Sequence, residues 1–207
     1  MAKKSIIHPK DNEAVNRRDF AAYGLAERKA HWVKGTLWKD ANKTAMVSEG
    51  KTIRQPTTKD RGIWVILFEN VAQGTGYFLE VTADKDNGPA KAQGITVNRA
   101  GPNRQIEITY PGNNATLCTE FVAYGTATSA AHVSGTMTLQ SNDKVFEGTT
   151  IQQPTERGTW VIRFVDLDPT GAGDSYELVV SNTNGESSNP VTGIKTQQNA
   201  CIAPNQD

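Results

Sequence analysis

Apolar and polar side chains alternate with a period of two along most of the chain, and no stretch sustains the 3.6-residue period of an amphipathic helix. Trp64, Ile66 and Phe68 alternate with Ile63, Val65 and Leu67; farther on, Trp160, Ile162 and Phe164 recur with Arg163 in place of Leu67. This predicts strands with Trp64, Phe68, Trp160 and Phe164 as core anchors and the Leu67/Arg163 position turned to water. The runs Tyr77-Phe78-Leu79-Glu80-Val81 and Tyr176-Glu177-Leu178-Val179-Val180 likewise put Tyr, Leu and Val inside at Tyr77, Leu79, Val81, Tyr176, Leu178 and Val180. Asp86-Asn87-Gly88 and Asn184-Gly185 then predict tight hairpin turns with positive φ, each leading to a last strand near 94–97 and 193–196.

The pattern occurs twice because the sequence does. Phe20-Ala21-Ala22-Tyr23-Gly24 returns as Phe121-Val122-Ala123-Tyr124-Gly125, and Thr52-Ile53-Arg54-Gln55-Pro56-Thr57 returns as Thr150-Ile151-Gln152-Gln153-Pro154-Thr155. Arg61-Gly62-Ile63-Trp64-Val65-Ile66-Leu67-Phe68 returns as Arg157-Gly158-Thr159-Trp160-Val161-Ile162-Arg163-Phe164. About 15 of these 19 positions are identical, far above what composition alone gives. The chain is therefore read as two tandem domains, 1–100 and 101–207, the second with a short C-terminal tail. The spacing between the copies shifts only in Gly-, Asn-, Asp- or Lys-rich stretches, which predicts that the extra residues lie in loops. A short Pro/Gly-rich seam at 98–103 predicts a preferred relative pose. Short, regularly spaced strands without helices read as all-β sandwiches.

These motifs, with an opening Ile-x-x-Pro at Ile6–Pro9 and again at Ile108–Pro111, resemble tandem bacterial and phage immunoglobulin-like repeat domains over nearly the whole chain. The resemblance implies two immunoglobulin-like β-sandwiches serving as spacers, adhesive modules or decorations on cell or virion surfaces. Leu79 and Leu178 stand where an antibody-type domain would carry its second sheet-bridging cysteine, so that core disulfide is not expected. In such sandwiches the opening and closing strands run side by side. Cys118, just before the Phe121 strand, and Cys201, beyond the last strand, are thus a disulfide candidate, with two reduced thiols as the alternative. A bridge over ~80 residues would stabilise by up to ~4 kcal/mol in the chain-entropy picture.

Charge changes the picture next. Lys+Arg 22 balance Asp+Glu 22, so no whole-protein field is available for nucleic acid, which is not an expected partner. The balance hides a partition: residues 1–101 hold 17 Lys+Arg against 11 Asp+Glu, and residues 102–207 hold 5 against 11, giving halves of +6 and −6. Complementarity between neighbouring copies, or a basic first domain on an acidic support, would use it. No apolar run approaches the ~18 to 20 residues of a membrane span. Met1 to Lys4 lead into Ser5-Ile6-Ile7-His8-Pro9 without an apolar h-region or cleavage site, so no signal peptide is expected in these residues.

Candidate chemistry is sparse. His8, His31 and His132 form no metal-ligand or triad spacing, and nucleophile-elbow, zinc-protease and phosphate-loop motifs are absent from the sequence. Neither a catalytic site, a metal nor a cofactor is expected. Asp84-Lys85-Asp86-Asn87-Gly88 lacks the distal glutamate of a calcium loop and reads as a turn. Asn42-Lys43-Thr44 and Asn114-Ala115-Thr116 match the glycosylation pattern, which means little in a bacterial-type module. The best binding candidates are Trp32 and Trp38, expected to project from the outer face of one strand about 20 Å apart, where the second copy has His132 and Thr138.

The expected function is that of a non-enzymatic structural or adhesive accessory, displayed on a virion or bacterial cell surface. Its partner would be a capsid, filament or cell-surface protein, or neighbouring copies of itself. A carbohydrate-binding module using Trp32 and Trp38 on a glycan is the alternative.

Overall fold

The computed structural model describes residues 4–26, 30–57, 62–84, 88–98, 106–127 and 132–198. All regular structure among them is β, and the chain divides into two compact units, Met1–Gly101 and Pro102–Asp207. Strands of the first unit are β1 (Ser5–His8), β2 (Ala14–Val15), β3 (Phe20–Leu25), β4 (Val33–Trp38), β5 (Met46–Glu49), β6 (Lys51–Arg54), β7 (Ile63–Phe68), β8 (Gly74–Ala83) and β9 (Ala90–Val97). They form a four-stranded sheet, β1-β3-β7-β6, and a five-stranded sheet, β2-β9-β8-β4-β5. The second unit repeats the arrangement with β10 (Ile106–Tyr110), β11 (Thr116–Cys118), β12 (Phe121–Ala127), β13 (Val133–Leu139), β14 (Lys144–Glu147), β15 (Thr149–Gln152), β16 (Thr159–Phe164), β17 (Tyr176–Asn182) and β18 (Val191–Gln197). Its sheets run β10-β12-β16-β15 and β11-β18-β17-β13-β14. In each unit the opening segment changes sheet, past the cis bonds His8–Pro9 and Tyr110–Pro111, and then pairs parallel to the closing strand. Both units are immunoglobulin-like β-sandwiches.

The repeated motifs are the core contacts. Trp64, Ile66 and Phe68 point between the sheets, as do Trp160, Ile162 and Phe164, and all six are fully buried. Phe68 stacks on Phe20 at 5.2 Å between centroids, and Phe164 on Phe121 at 5.2 Å. Each Phe-x-Ala-Tyr-Gly motif ends in glycine for want of space: a Cβ at Gly24 would run into the Ser5 carbonyl and the Trp64 ring, and at Gly125 into the Glu107 carbonyl and Trp160. The Thr-Ile-x-Gln-Pro-Thr motif joins the two sheets. Thr52 Oγ1 donates to the Val33 carbonyl at 2.6 Å while Gln55 Oε1 accepts the Val33 N–H at 2.8 Å. Thr150 and Gln153 do the same for Val133, at 2.9 and 2.9 Å. Gly50 carries the chain from one sheet to the other in a single residue, donating its N–H to the Gly35 carbonyl at 2.9 Å.

Tyr77, in the first half of β8, and Tyr176, at the head of β17, form tyrosine corners. Tyr77 Oη donates to the Ala72 carbonyl at 3.0 Å and Tyr176 Oη to the Asp168 carbonyl at 3.1 Å. Burial, with the charges of Asp168 and Asp174, pushes the Tyr176 phenol up to about 12.

Three expectations need correction. Leu67 and Arg163 do not face water: Leu67 is 2% exposed, and Arg163 is half-buried with its Nε donating to Glu120 Oε1 at 2.7 Å. A partly buried ion pair with Glu120, not solvent, is what accommodates arginine in place of leucine there. The turn at 182–186 is not a two-residue hairpin either. Only Gly185 has positive φ, and Asn182 Oδ1 organises a wider turn by accepting the N–H groups of Asn184 and Glu186 at 2.9 and 3.1 Å. Finally, one extra residue of the first copy lies within a strand. Trp38 pairs with Met46 and Leu37 with Ser48, which leaves Val47 as a bulge where the second copy pairs without a break. Asn87 and Asp86 of the other predicted turn lie outside the described residues.

Cys118 is buried at the end of β11 and disulfide-bonded, while Cys201, its expected partner, lies outside the described residues. Intact-mass measurement of alkylated, unreduced protein is expected to show no modified thiol; two alkylated cysteines would remove the Cys118–Cys201 pairing. Trp64→Ala or Trp160→Ala is expected to cost about 3 to 5 kcal/mol in its own unit. A melting curve for either variant close to that of the wild type would contradict the core assignment.

A candidate binding face on the first unit

Inward-pointing Val33, Gly35 and Leu37 fix the outward side of β4 as Lys34, Thr36 and Trp38, because side chains alternate across a strand. Residues directly opposite in an antiparallel pair share a face, so the register extends this side across the sheet. Trp38 lies between Met46 on β5 and Phe78 on β8, and Thr36 lies between Glu49 and Glu80. Glu80 in turn faces Lys91 on β9. Met46 is 59% exposed, Trp38 half-buried and Phe78 buried, giving an aromatic and apolar row that ends at the sheet edge. Trp38 Nε1 is shielded from solvent and has no hydrogen-bond partner among the described residues.

Cations frame this row. Lys43, from the β4–β5 loop, reaches back over the sheet to place Nζ 2.5 Å from Glu80 Oε2 and 5.8 Å from the centre of the Trp38 ring. The loop is held by Asp40, which accepts the Thr44 hydroxyl at 2.5 Å and the Thr44 N–H at 3.3 Å. Lys34 and Lys91 are exposed. Attraction between an ammonium and an indole face is worth about 0.5 to 1 kcal/mol at exposed sites, enough to orient Lys43 but not to fix it.

Trp32 is not on the strand with Trp38. It precedes β4, is 40% exposed, and has Lys34 Nζ 5.7 Å from its ring centre. Its position depends on Asp84, whose Oδ1 accepts the N–H groups of His31 at 2.8 Å and Trp32 at 3.5 Å while Oδ2 lies 2.8 Å from His31 Nδ1. Partial desolvation pushes the Asp84 carboxyl up, but these N–H groups and the charge of His31 outweigh it and hold it below the ordinary aspartate range. Asp84 thus anchors a turn in the first unit. The rest of its supposed calcium loop, 85–87, lies outside the described residues.

The equivalent face of the second unit is different in kind. Thr138 lies between Val145 and Glu177, and Thr136 between Glu147 and Val179, so acidic and aliphatic groups replace the aromatic row and its lysines. Sequence reading singled out Trp32 and Trp38 but missed Met46, Phe78 and Lys43. Only the β5 and β8 register brings those three to Trp38, although the outward parity of Phe78 was visible beside Leu79. Among the described residues no group of three His, Cys, Asp or Glu side chains could hold a metal ion, and no helix is long and apolar enough to cross a membrane.

No family model and no curated protein matches the chain. Its fold is immunoglobulin-like. Among solved structures it is similar to the FN1–FN3 domains of chicken CNTN1, with 12% identity and a TM-score of 0.30 over 95% of this chain and 66% of that one.

Lowering pH should release the Asp84 turn. A carboxyl with a depressed folded pKa contributes stability above its unfolded value, about 3.9, and loses it as pH falls through the folded one. The amide resonances of His31 and Trp32 are expected to shift with a midpoint below about 3.9 and not to do so in Asp84→Asn. A midpoint at or above that value would count against the anchor.

Proposed function

We propose that the chain is a non-enzymatic structural or adhesive accessory of the bacterial or phage immunoglobulin-like kind, displayed on a virion or cell surface and docking through the first unit. The observation that carries this reading is the divergence of two equivalent sheet faces. The copies share their core motifs, yet one outer face has Trp38, Met46 and Phe78 where the other has Thr138, Val145 and Glu177, and Lys43 reaches over the first of them. A partly exposed tryptophan beside an exposed methionine on a strand edge has the composition of an interface anchor, Trp and Met being enriched at such sites. The surplus of lysine and arginine in 1–101 adds long-range attraction to an acidic partner, which salt screens.

A carbohydrate-binding role draws support from Trp32, whose ring is open to solvent. The two readings separate by experiment. Full-length chain is expected to co-sediment with intact particles or cells of its source, less so at ~0.5 M salt, with binding weakened about tenfold or more by Met46→Glu and by Trp38→Ala. Unchanged binding in both variants would overturn the docking face. Binding on a glycan array that Trp32→Ala abolishes, with no protein partner, would transfer the function to the carbohydrate reading.

A further inference from the structure

Resting on that docking face, we propose its occupant: the equivalent face of the second unit of another copy, joined head to tail. Three observations converge on this pairing. Trp32, Met46 and Val145 are the exposed large hydrophobic side chains among the described residues. Two of them, Met46 at 59% and Val145 at 56%, occupy matching places on the edge strands β5 and β14, opposite Trp38 and Thr138. Each unit therefore offers one apolar tip at the same point of its outer sheet face.

The surroundings of those tips are of opposite sign. The first face has Lys34, Lys43 and Lys91 against Glu49 and Glu80, with Glu80 engaged by Lys43, and keeps a surplus of one positive charge. Outward positions of β13, β14 and β17 include Glu147 and Glu177 and no lysine or arginine; β18, the counterpart of β9, adds exposed Lys195, and Lys144 beside Val145 is engaged by Asp168, which leaves a surplus of one negative charge. The same sign difference holds for whole halves, +6 against −6. First face on first face, or second on second, would bring like charges together, whereas first on second pairs lysines with glutamates around Met46, Trp38 and Val145. Because the two surfaces differ and every copy has both, the contact is heterologous and extends into an open chain or a ring rather than closing as a two-fold dimer.

Sedimentation velocity of the full chain tests this. Wild type is expected to form concentration-dependent oligomers larger than dimers at low salt and to shift to monomer at ~0.5 M salt. Met46→Glu disables the first face at an exposed position, and the double variant Glu147→Gln, Glu177→Gln weakens the second; each alone should raise the dissociation constant about tenfold or more. Mixed in equal amounts, the two variants still hold one intact surface each and are expected to form a 1:1 dimer that grows no further. Failure of the mixture to dimerise, or association untouched by either variant, would overturn the pairing. A chain that stays monomeric yet co-sediments with particles through Met46 would overturn this occupant and leave the docking face standing. Self-association without particle binding would support the pairing and restrict the face to contacts between copies.

Discussion

Each sandwich depends on fitting the large side chains of one strand into space vacated by glycine. Trp64, Ile66 and Phe68 of β7 enter the interior where Gly24, Gly35 and Gly50 leave no Cβ in the way, and β16 repeats the fit with Gly125, Gly135 and Gly148. Burying a tryptophan against a backbone only a glycine could provide makes the two positions interdependent, since neither change alone preserves packing density. That interdependence accounts for the survival of Gly-x-Trp-Val-Ile-x-Phe and Phe-x-Ala-Tyr-Gly in both copies while the outer faces drifted apart.

Around this centre, polar contacts fix what packing alone leaves free. The Thr52 and Gln55 clamp on Val33 sets the start of β4 against the opposite sheet, and so decides which of its side chains point out. Tyr77 secures the entry to β8, the strand that supplies Phe78 and Glu80 to the outer face. The face is thus built from residues free to vary on strands that are not. Its aromatic row needs no pocket, only the parity those contacts impose.

Duplication, strand periodicity and the core anchors were legible because they are local: an alternating pattern read twice separates what packing requires from what it tolerates. The Leu67/Arg163 position misled for the same reason. A change from leucine to arginine between copies looks like exposure, and only the structure reveals Glu120 waiting across the strand. Met46 was invisible because its place opposite Trp38 depends on the bulge at Val47, and register across strands leaves no mark in a single sequence. Lys43 was missed because a loop lysine looks like a solubilising charge until the loop folds back onto Glu80. The carboxyl of Asp84 drew notice only as part of a calcium-loop-like run, whereas its hydrogen-bond partner lies 53 residues away at His31.

The one-residue passage at Gly50 bears on how the molecule would carry load. An edge strand joined to its sheet by a long loop can peel away when its outer side is pulled, but β5 continues through Gly50 directly into β6, which pairs with β7 in the opposite sheet. Tension applied at Met46 meets the pairs of β5 with β4 first and, beyond Gly50, the pairs of β6 with β7, the strand that holds Trp64. A β5 pulled free of β4 from Met46 onward would still be tethered through Gly50 to the opposite layer, so the edge is anchored at its far end by a strand of the other sheet.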